Sequence, residues 1–202
     1  MNSVSTPPAE RHHFALPNLL TYSRIAAVPL VVACMYAQAI LQGGLWLRLL
    51  ALAIFIGAAI TDFFDGYLAR SWGQQSRLGR MLDPIADKLL VGTALLLLVN
   101  DGTIDFIKIW GAIIILCREI LVSGLREYLA ELNVKVHVTR LAKWKTTLQM
   151  AALGVLIAGP AGDKFFPAVT LTGTMLLWGA ALLTLWTGYD YLKAAVRHAI
   201  DN

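Results

Sequence analysis

Charge and cysteine are both scarce in this chain. Of its 202 residues, 15% are charged, against about 25% in a typical soluble domain. The two cysteines, Cys34 and Cys117, stand in separate apolar stretches, and the four histidines make no spaced metal-binding pair. This pattern excludes a disulfide framework and a thiolate zinc site. The sequence also shows no internal repeat and no stretch that would form a second, soluble domain.

Apolar residues take the place of the missing charge. They make up 57% of the chain, and most of their runs approach the roughly 20 residues that cross a bilayer as a helix. The runs cover residues 19–40, 45–64, 84–99, 106–125, 146–158 and 168–186, the fifth being short. Backbone groups in lipid must be satisfied internally. The sequence therefore predicts an all-α integral membrane protein, a six-transmembrane-helix bundle over residues 16–202, preceded by a polar segment over residues 1–15.

The positive charges predict the orientation of this bundle. All but three of the 17 Lys and Arg residues belong to one set of segments, while Arg48, Lys108 and Lys164 lie on the other three connections. By the positive-inside rule, both termini and the aspartate-rich loop are cytoplasmic. Arg24 inside the first run opposes a cleavable signal sequence, so we expect the first helix to be retained. Cations beside membrane segments indicate anionic lipid or a phosphorylated substrate as partner, and no nucleic acid.

Four carboxylates interrupt the apolar pattern at residues 62, 65, 83 and 87. Each costs about 2.5 to 3.5 kcal/mol at mid-bilayer depth on insertion scales, so the set needs a cation or a wet cavity. Asp62 and Asp65 share one helix face at i, i+3, and Asp83 and Asp87 share another at i, i+4. Facing pairs of hard oxygen ligands suit Mg²⁺ or Mn²⁺, and two such ions could clamp a phosphate. The sequence thus predicts a divalent-metal site.

Structural roles are the alternative for these carboxylates. Asp83 directly precedes Pro84, as an N-cap precedes a proline at the first helical position. The first two aspartates could instead form ion pairs with one of three arginines: Arg24, Arg70 or Arg118.

The spacing around the carboxylates resembles the signature of the CDP-alcohol phosphotransferase family. The pattern DxxDGxxAR, eight residues, then GxxxDxxxD is matched at every fixed position, from Asp62 to Asp87. The resemblance implies a six-helix membrane enzyme that transfers a phosphatidyl group from a CDP-linked lipid to an alcohol and releases CMP. It implies metal ligation by Asp62, Asp65, Asp83 and Asp87, with Asp87 also the general base. It further implies contacts to the CDP-lipid from Asn18, Gly66, Ala69, Arg70, Ser76 and Gly79.

A cluster of cations is predicted where the fourth and fifth helices meet the cytoplasm. Arg118 and Arg126 are eight residues apart, about 12 Å along a helix axis, and Arg140, Lys143 and Lys145 follow. Such a cluster suits the phosphate of glycerol 3-phosphate, whereas choline or ethanolamine would require aromatics or carboxylates. We predict acceptor-phosphate contacts from Arg118, Arg126, Arg140 and Lys143. The alternative is topogenic charge that faces lipid, for Lys135, Lys145 and Arg118, of which Arg118 lies deepest.

Three segments, 86–91, 118–127 and 143–149, are similar to those of family members that use glycerol 3-phosphate. The likeness covers about residues 16–150, and the last two helices carry no motif. It implies phosphatidyl transfer from CDP-diacylglycerol to glycerol 3-phosphate at the cytoplasmic face of a bacterial inner membrane, giving phosphatidylglycerol phosphate. The oligomeric state stays open, a homodimer included.

Three alternatives to this function stay open. The first is another acceptor, such as inositol phosphate, serine or phosphatidylglycerol. The second is an ion-coupled transporter, which usually shows repeated halves that this chain lacks. The third is a prenyltransferase, whose paired aspartates also bind Mg²⁺ but whose chemistry calls for no GxxAR segment.

Overall fold

Six helices and no strand make up the part of the chain that the computed structural model describes, residues 16–41, 44–72, 77–132, 134 and 140–200. This confirms the all-α prediction. The helices are α1 (Leu16–Leu41), α2 (Trp46–Trp72), α3 (Arg77–Asn100), α4 (Lys108–Glu131), α5 (Arg140–Gly162) and α6 (Val169–Ile200).

The helices extend beyond the predicted apolar runs mainly at one end of the bundle. α2 continues to Trp72, α3 already begins at Arg77, and α6 continues to Ile200. Hydropathy detects only the apolar turns of a helix, whereas the backbone hydrogen bonds continue through the polar ones. We call this end, where α2, α4 and α6 finish and α3 and α5 begin, the polar end.

The start of α3 rules out the capping role for Asp83. Pro84 lies inside the helix, whose first residue is Arg77, so Asp83 cannot be the N-cap. A proline in a helix interior removes one backbone hydrogen bond. Despite this missing hydrogen bond, α3 continues past Pro84 to Asn100 and packs against α1, α4 and α5.

The bundle has one continuous apolar core. α1 packs on α2 and α3, α5 packs on α2, α3 and α6, and α4 packs on α6. The core includes Phe55, Leu98, Ile115, Leu153 and Leu177, each at most 1% exposed. This arrangement holds the polar turns of α3, α4, α5 and α6 beside one another at the polar end.

Arg48, a buried residue of α2, donates hydrogen bonds to the backbone of α5 beside a kink in that helix. The kink lies at the end of the bundle opposite the polar end. Gly159 has a left-handed φ of 25°, and Pro160 follows it without an N–H. Pro160 cannot bond the carbonyl of Leu156, four residues earlier. Arg48 replaces that donor: its Nη2 lies 3.2 Å from the oxygen of Leu156, and its Nε lies 2.7 Å from that of Ile157.

The same guanidinium joins α2 to the α3–α4 connection. Nη1 of Arg48 forms an ion pair of 2.5 Å with Asp101, and Nη2 donates a 2.7 Å hydrogen bond to Thr103. Arg48 is only 2% exposed. The expectation that it lies on a connection is therefore wrong, since it belongs to the first turn of α2 and has distant partners.

Within the described part of the chain, two helical stretches are long and apolar enough to cross a membrane, Leu19–Leu41 and Val169–Lys193. Trp46–Thr61 is apolar but shorter. In α4, by contrast, Arg118 and Glu119 fall in the middle of the apolar run.

Candidate active site

Asp83 and Asp87 lie one turn apart on α3, as the spacing predicts, and both are half-buried. Gly79 lies one turn before them and is buried. Thr21 on α1 donates a 2.6 Å hydrogen bond to Oδ1 of Asp83. A carboxylate that accepts one such bond keeps lone pairs for a metal ion. The chemistry of these groups therefore fits a divalent cation.

The other signature positions have their backbone on α2. Asp62, Asp65, Gly66, Ala69 and Arg70 fall within Trp46–Trp72, so the predicted helical spacing applies to them. Their side chains lie outside the described part, as does that of Asn18 on α1, and Ser76 lies outside it altogether. Among the side chains that are described, no three His, Cys, Asp or Glu residues form a metal-binding group. Of the four proposed ligands, only Asp83 and Asp87 have described side chains.

A buried cluster of charges joins α4 to α5 at the polar end. Glu119 accepts a hydrogen bond from Arg118, with Nη1 3.3 Å from Oε1, and the same Oε1 forms an ion pair with Nζ of Lys145. Arg118 is 8% exposed and Lys145 is 5% exposed. These values contradict the alternative that the two cations face lipid.

α6 supplies a polar face to this cluster. Nε of Arg118 donates to the carbonyl oxygen of Thr184 at 3.1 Å, and Nη2 donates to Oγ1 of Thr187 at 3.0 Å. A Cβ on Gly188 would lie 3.2 Å from Cγ of Arg118, so the missing side chain lets α6 approach closely. The last helix, although it carries no sequence motif, therefore contributes contacts to the cluster.

Arg126 lies further along α4 and remains exposed. Its Nη2 is 3.3 Å from the hydroxyl of Tyr191, and its guanidinium carbon is 5.5 Å from the centre of that ring. The aromatic face and the hydroxyl both restrict the guanidinium while leaving it open to solvent. Arg126 is thus the most accessible of the predicted phosphate-binding cations whose side chains are described.

The structure brings together some of the predicted cations. Arg118 and Lys145 share Glu119, whereas Arg126 lies eight residues further along α4 and contacts Tyr191. The side chains of Arg140 and Lys143 lie outside the described part, although both residues belong to α5. The structure therefore brings Arg118 and Lys145 together.

The α3 carboxylates and the cluster are neighbours. α3 packs on both α4 and α5, and Nζ of Lys88, the residue after Asp87, donates a hydrogen bond to Ser123 on α4. The structure therefore places the proposed metal-binding helix beside the cations proposed to bind the acceptor.

Sequence reasoning missed Thr21, Glu119 and the α6 face. Thr21 lies three residues after Asn18, so the two share a face of α1. Glu119 is an acidic residue in an apolar run, which by itself calls for a partner. Thr184, Thr187, Gly188 and Tyr191 follow the i, i+3, i+4, i+7 spacing of one helix face. Each of these features is visible in the sequence, but none of them shows which residue on another helix it contacts.

Two carboxylates on α3, a helix that packs on those carrying the buried cations, suit an enzyme that acts on phosphate groups at a lipid surface in a bundle with membrane-length helices. The family description "CDP-alcohol phosphatidyltransferase" matches residues 14–186. The chain belongs to this family of transferases, which generally use divalent metals.

Curated relatives cover nearly the whole chain. A protein of Rickettsia bellii is 46% identical over 183 residues, 91% of this chain and 96% of its own length. Proteins of Cereibacter sphaeroides and Haemophilus influenzae are 38% and 39% identical, over 94% of this chain and 99% and 97% of theirs. All three carry the name "CDP-diacylglycerol--glycerol-3-phosphate 3-phosphatidyltransferase". The protein is therefore an enzyme of phospholipid synthesis.

Proposed function

We propose that the protein transfers the phosphatidyl group of CDP-diacylglycerol to glycerol 3-phosphate, giving phosphatidylglycerol phosphate and CMP. The observation that carries this proposal is the buried pair Arg118 and Lys145 beside Asp87, in a chain whose relatives are named for this reaction. A phosphorylated acceptor needs cations of this kind, and a neutral alcohol does not.

Asp87 acts as the general base in this reaction. The acceptor hydroxyl loses its proton to Asp87, and its oxygen attacks the phosphorus that bears the diacylglycerol. The bond from that phosphorus to the CMP oxygen breaks, and CMP leaves with the electron pair. Positioning of the hydroxyl next to the base accounts for much of the rate in such transfers.

Asp62, Asp65, Asp83 and Asp87 would hold two divalent cations, Mg²⁺ or Mn²⁺. When bound, such ions would neutralise the pyrophosphate and polarise the phosphorus under attack. Gly66, Ala69 and Gly79 leave space for the nucleotide, while Asn18, Arg70 and Ser76 contact the CDP moiety. Arg118, Arg126, Arg140 and Lys143 bind the acceptor phosphate, together with Lys145.

The chain spans the bacterial inner membrane six times, with both termini and the polar end in the cytoplasm. Support comes from the distribution of Lys and Arg and from large apolar side chains exposed on the helices, such as Leu96, Trp110 and Leu182 at 61% to 65%. Soluble proteins rarely expose wide apolar surfaces.

Single cysteines test this orientation in a protein that lacks Cys34 and Cys117. A cysteine at Glu131, at the end of α4, should react only with reagents that reach the cytoplasm. One at Lys164, in the α5–α6 turn, should react from outside. The reverse labelling pattern would invert the topology.

Purified protein assayed with a panel of acceptors tests the reaction itself. CMP release from CDP-diacylglycerol should be fastest with glycerol 3-phosphate and slow with glycerol, serine, phosphatidylglycerol and inositol phosphate. Chelation should stop it, and Mg²⁺ or Mn²⁺ should restore it. Asn at position 62, 65 or 83 should leave less than about a tenth of the activity, a loss above about 1.4 kcal/mol. Faster CMP release with inositol phosphate would agree with the family but would contradict glycerol 3-phosphate as the acceptor.

A further inference from the structure

Glu119 is the one carboxylate shown to bind both buried cations of the cluster. Its Oε1 accepts from Arg118 and from Lys145, and its own side chain is 14% exposed. The two cations lie close enough for their charges to repel each other. Opposite charge on Glu119 offsets this repulsion, which is strong because water is largely excluded.

The contacts leave donors on both cations for a ligand. Of the five N–H groups of Arg118, the described contacts use three, and of the three on Lys145 they use one. A phosphate has three or more oxygens that accept such bonds, and charge-assisted bonds are the strongest available to it. The direction in which the remaining donors point depends on how Glu119 holds the two head groups.

The position of the cluster explains why the orientation of the two cationic head groups matters for the reaction. α3, which carries Asp87, packs on both α4 and α5, which carry Arg118 and Lys145. A phosphate that accepts from these two cations is therefore bound on the helices that adjoin the proposed base. A shift of Lys145 would move the acceptor relative to Asp87.

We propose that Glu119 is a positioning residue for the anionic acceptor, acting through Lys145 and Arg118. The proposal rests on the proposed function, since it concerns the same acceptor site. Glu119 contacts neither substrate. It fixes the separation and orientation of the two cations, so that one phosphate accepts from both.

Glu119→Gln tests the proposal, with Glu127→Gln as the matched control. Glu127 lies eight residues further along α4 and is exposed. Glutamine keeps the length and one acceptor oxygen but removes the charge that holds two cations. We expect the KM for glycerol 3-phosphate to rise about tenfold or more. The KM for CDP-diacylglycerol should stay near that of the parent. The thermal midpoint should fall, because two buried cations lose their shared carboxylate. The control should change none of the three.

Other outcomes for Glu119→Gln would overturn the proposal. A lower acceptor KM would mean that Glu119 competes with the phosphate rather than organising its site. Equal changes in the KM for glycerol 3-phosphate and the KM for CDP-diacylglycerol would mean a purely structural role. If Glu119→Gln does not fold, Glu119→Asp takes its place. It should raise the acceptor KM less than removal of the charge would, and an unchanged KM would contradict the proposal.

A double variant separates positioning from an independent contribution. Lys145→Met should itself raise the acceptor KM. Adding Glu119→Gln to it should then raise the KM by a smaller factor than Glu119→Gln does in the parent, because residues that act through one another are not additive. Additive losses would overturn the proposal.

The acceptor preference of the parent protein tests the proposed function separately. If that protein prefers another phosphorylated acceptor, the proposed function fails, and the Glu119 variants are measured with that acceptor. A selective rise in its KM would still support the role of Glu119.

Discussion

Thr21 on α1 holds Asp83 on α3 through a 2.6 Å hydrogen bond from its hydroxyl to Oδ1. Thr21 is 1% exposed, so water competes little for this bond. A carboxylate held by a fixed donor presents its remaining lone pairs in one direction, which favours metal binding. A residue outside the signature thus orients one of the proposed ligands.

Thr21→Val should weaken metal binding without unfolding the protein. The side chain keeps its branched shape and loses the hydroxyl, and loss of an outer-shell partner typically costs 10- to 100-fold in metal affinity. The Mn²⁺ dissociation constant, measured by electron paramagnetic resonance, should rise by about tenfold. Thr21→Ser, which keeps the hydroxyl, should bind like the parent. Equal weakening in both variants would indicate a packing effect.

Asp87→Asn should separate binding from chemistry. If Asp87 is the base, turnover should fall by about 100-fold or more, while CDP-diacylglycerol still binds through the other three aspartates. Direct binding of the nucleotide lipid and CMP release are the two measurements. Asp105→Asn, on the exposed α3–α4 connection, is the control and should leave both unchanged. Loss of binding that matches the loss of rate would make Asp87 chiefly a metal ligand.

Gly188→Ala should disturb Arg118 without weakening α6. The new Cβ would lie 3.2 Å from Cγ and 3.4 Å from Nε of Arg118, which forces the side chain to move by a few tenths of an ångström. We expect the acceptor KM to rise roughly threefold to tenfold. Alanine in a helix is favoured over glycine by about 0.8 to 1.0 kcal/mol, so the thermal midpoint should not fall.

Gly179→Ala is the control for this prediction. Its Cβ would meet only Leu148, at an ordinary 3.5 Å. The control should leave the acceptor KM unchanged. A similar rise in both variants would show that α6 responds to any added methyl group.

Arg48→Met should lower stability far more than it lowers activity. It leaves Asp101 and the carbonyls of Leu156 and Ile157 without the buried guanidinium, and breaking a buried ion pair costs about 3 to 5 kcal/mol. Thermal denaturation in detergent should show the loss. At low temperature the folded fraction should keep its KM values, because Arg48 lies at the end opposite the carboxylates.

Two comparisons isolate the buried pair. The double variant Arg48→Met with Asp101→Asn should recover part of the stability, since no unpaired charge then remains. Lys108→Met breaks the more exposed pair with Asp105 and should cost no more than about 1 kcal/mol. Equal losses for Arg48→Met and Lys108→Met would refute the buried-pair explanation.

Asp163 should make the α5–α6 turn sensitive to acid. The side-chain and backbone hydrogen bonds from Thr170 lower the pKa of Asp163 below its ordinary value of 3.8. The stabilisation is therefore present above the unfolded pKa and is lost as the pH falls through the folded pKa. The thermal midpoint of the parent should drop more than that of Asp163→Asn between about pH 5 and about pH 3. Parallel curves would contradict this role.

The sequence predicts the helices well, and also the helical spacing of Asp83 and Asp87, because both depend only on residues that are close together in the chain. Asp83 and Asp87 are conspicuous in an apolar chain, and their i, i+4 relation follows from the helix alone. The ends of α2, α3 and α6 were predicted less well, because hydropathy does not register polar turns.

Partners distant in the chain could not be predicted from the sequence. Thr184 and Thr187 barely change the hydropathy of the apolar run in α6. Arg118, their partner, lies 66 and 69 residues earlier in the chain, so no short-range sequence pattern relates it to them. Arg48 looked like a topogenic charge because its acceptors are likewise remote. Tertiary contacts of this kind depend on how the helices pack, which spacing within one helix does not specify.

The partners of Arg48 also set an order for biogenesis. The carbonyl of Ile157 lies 109 residues later in the chain than Arg48, which corresponds to roughly 5 to 20 seconds of synthesis at typical rates. During that interval the guanidinium of Arg48 lacks its hydrogen-bond acceptors on α5. Water or lipid headgroups must therefore solvate this guanidinium at the membrane surface. Nascent chains arrested before residue 157 should thus remain open to proteases near Arg48, and chains that include α5 should become resistant. Resistance at both lengths would show that the first helices close without it.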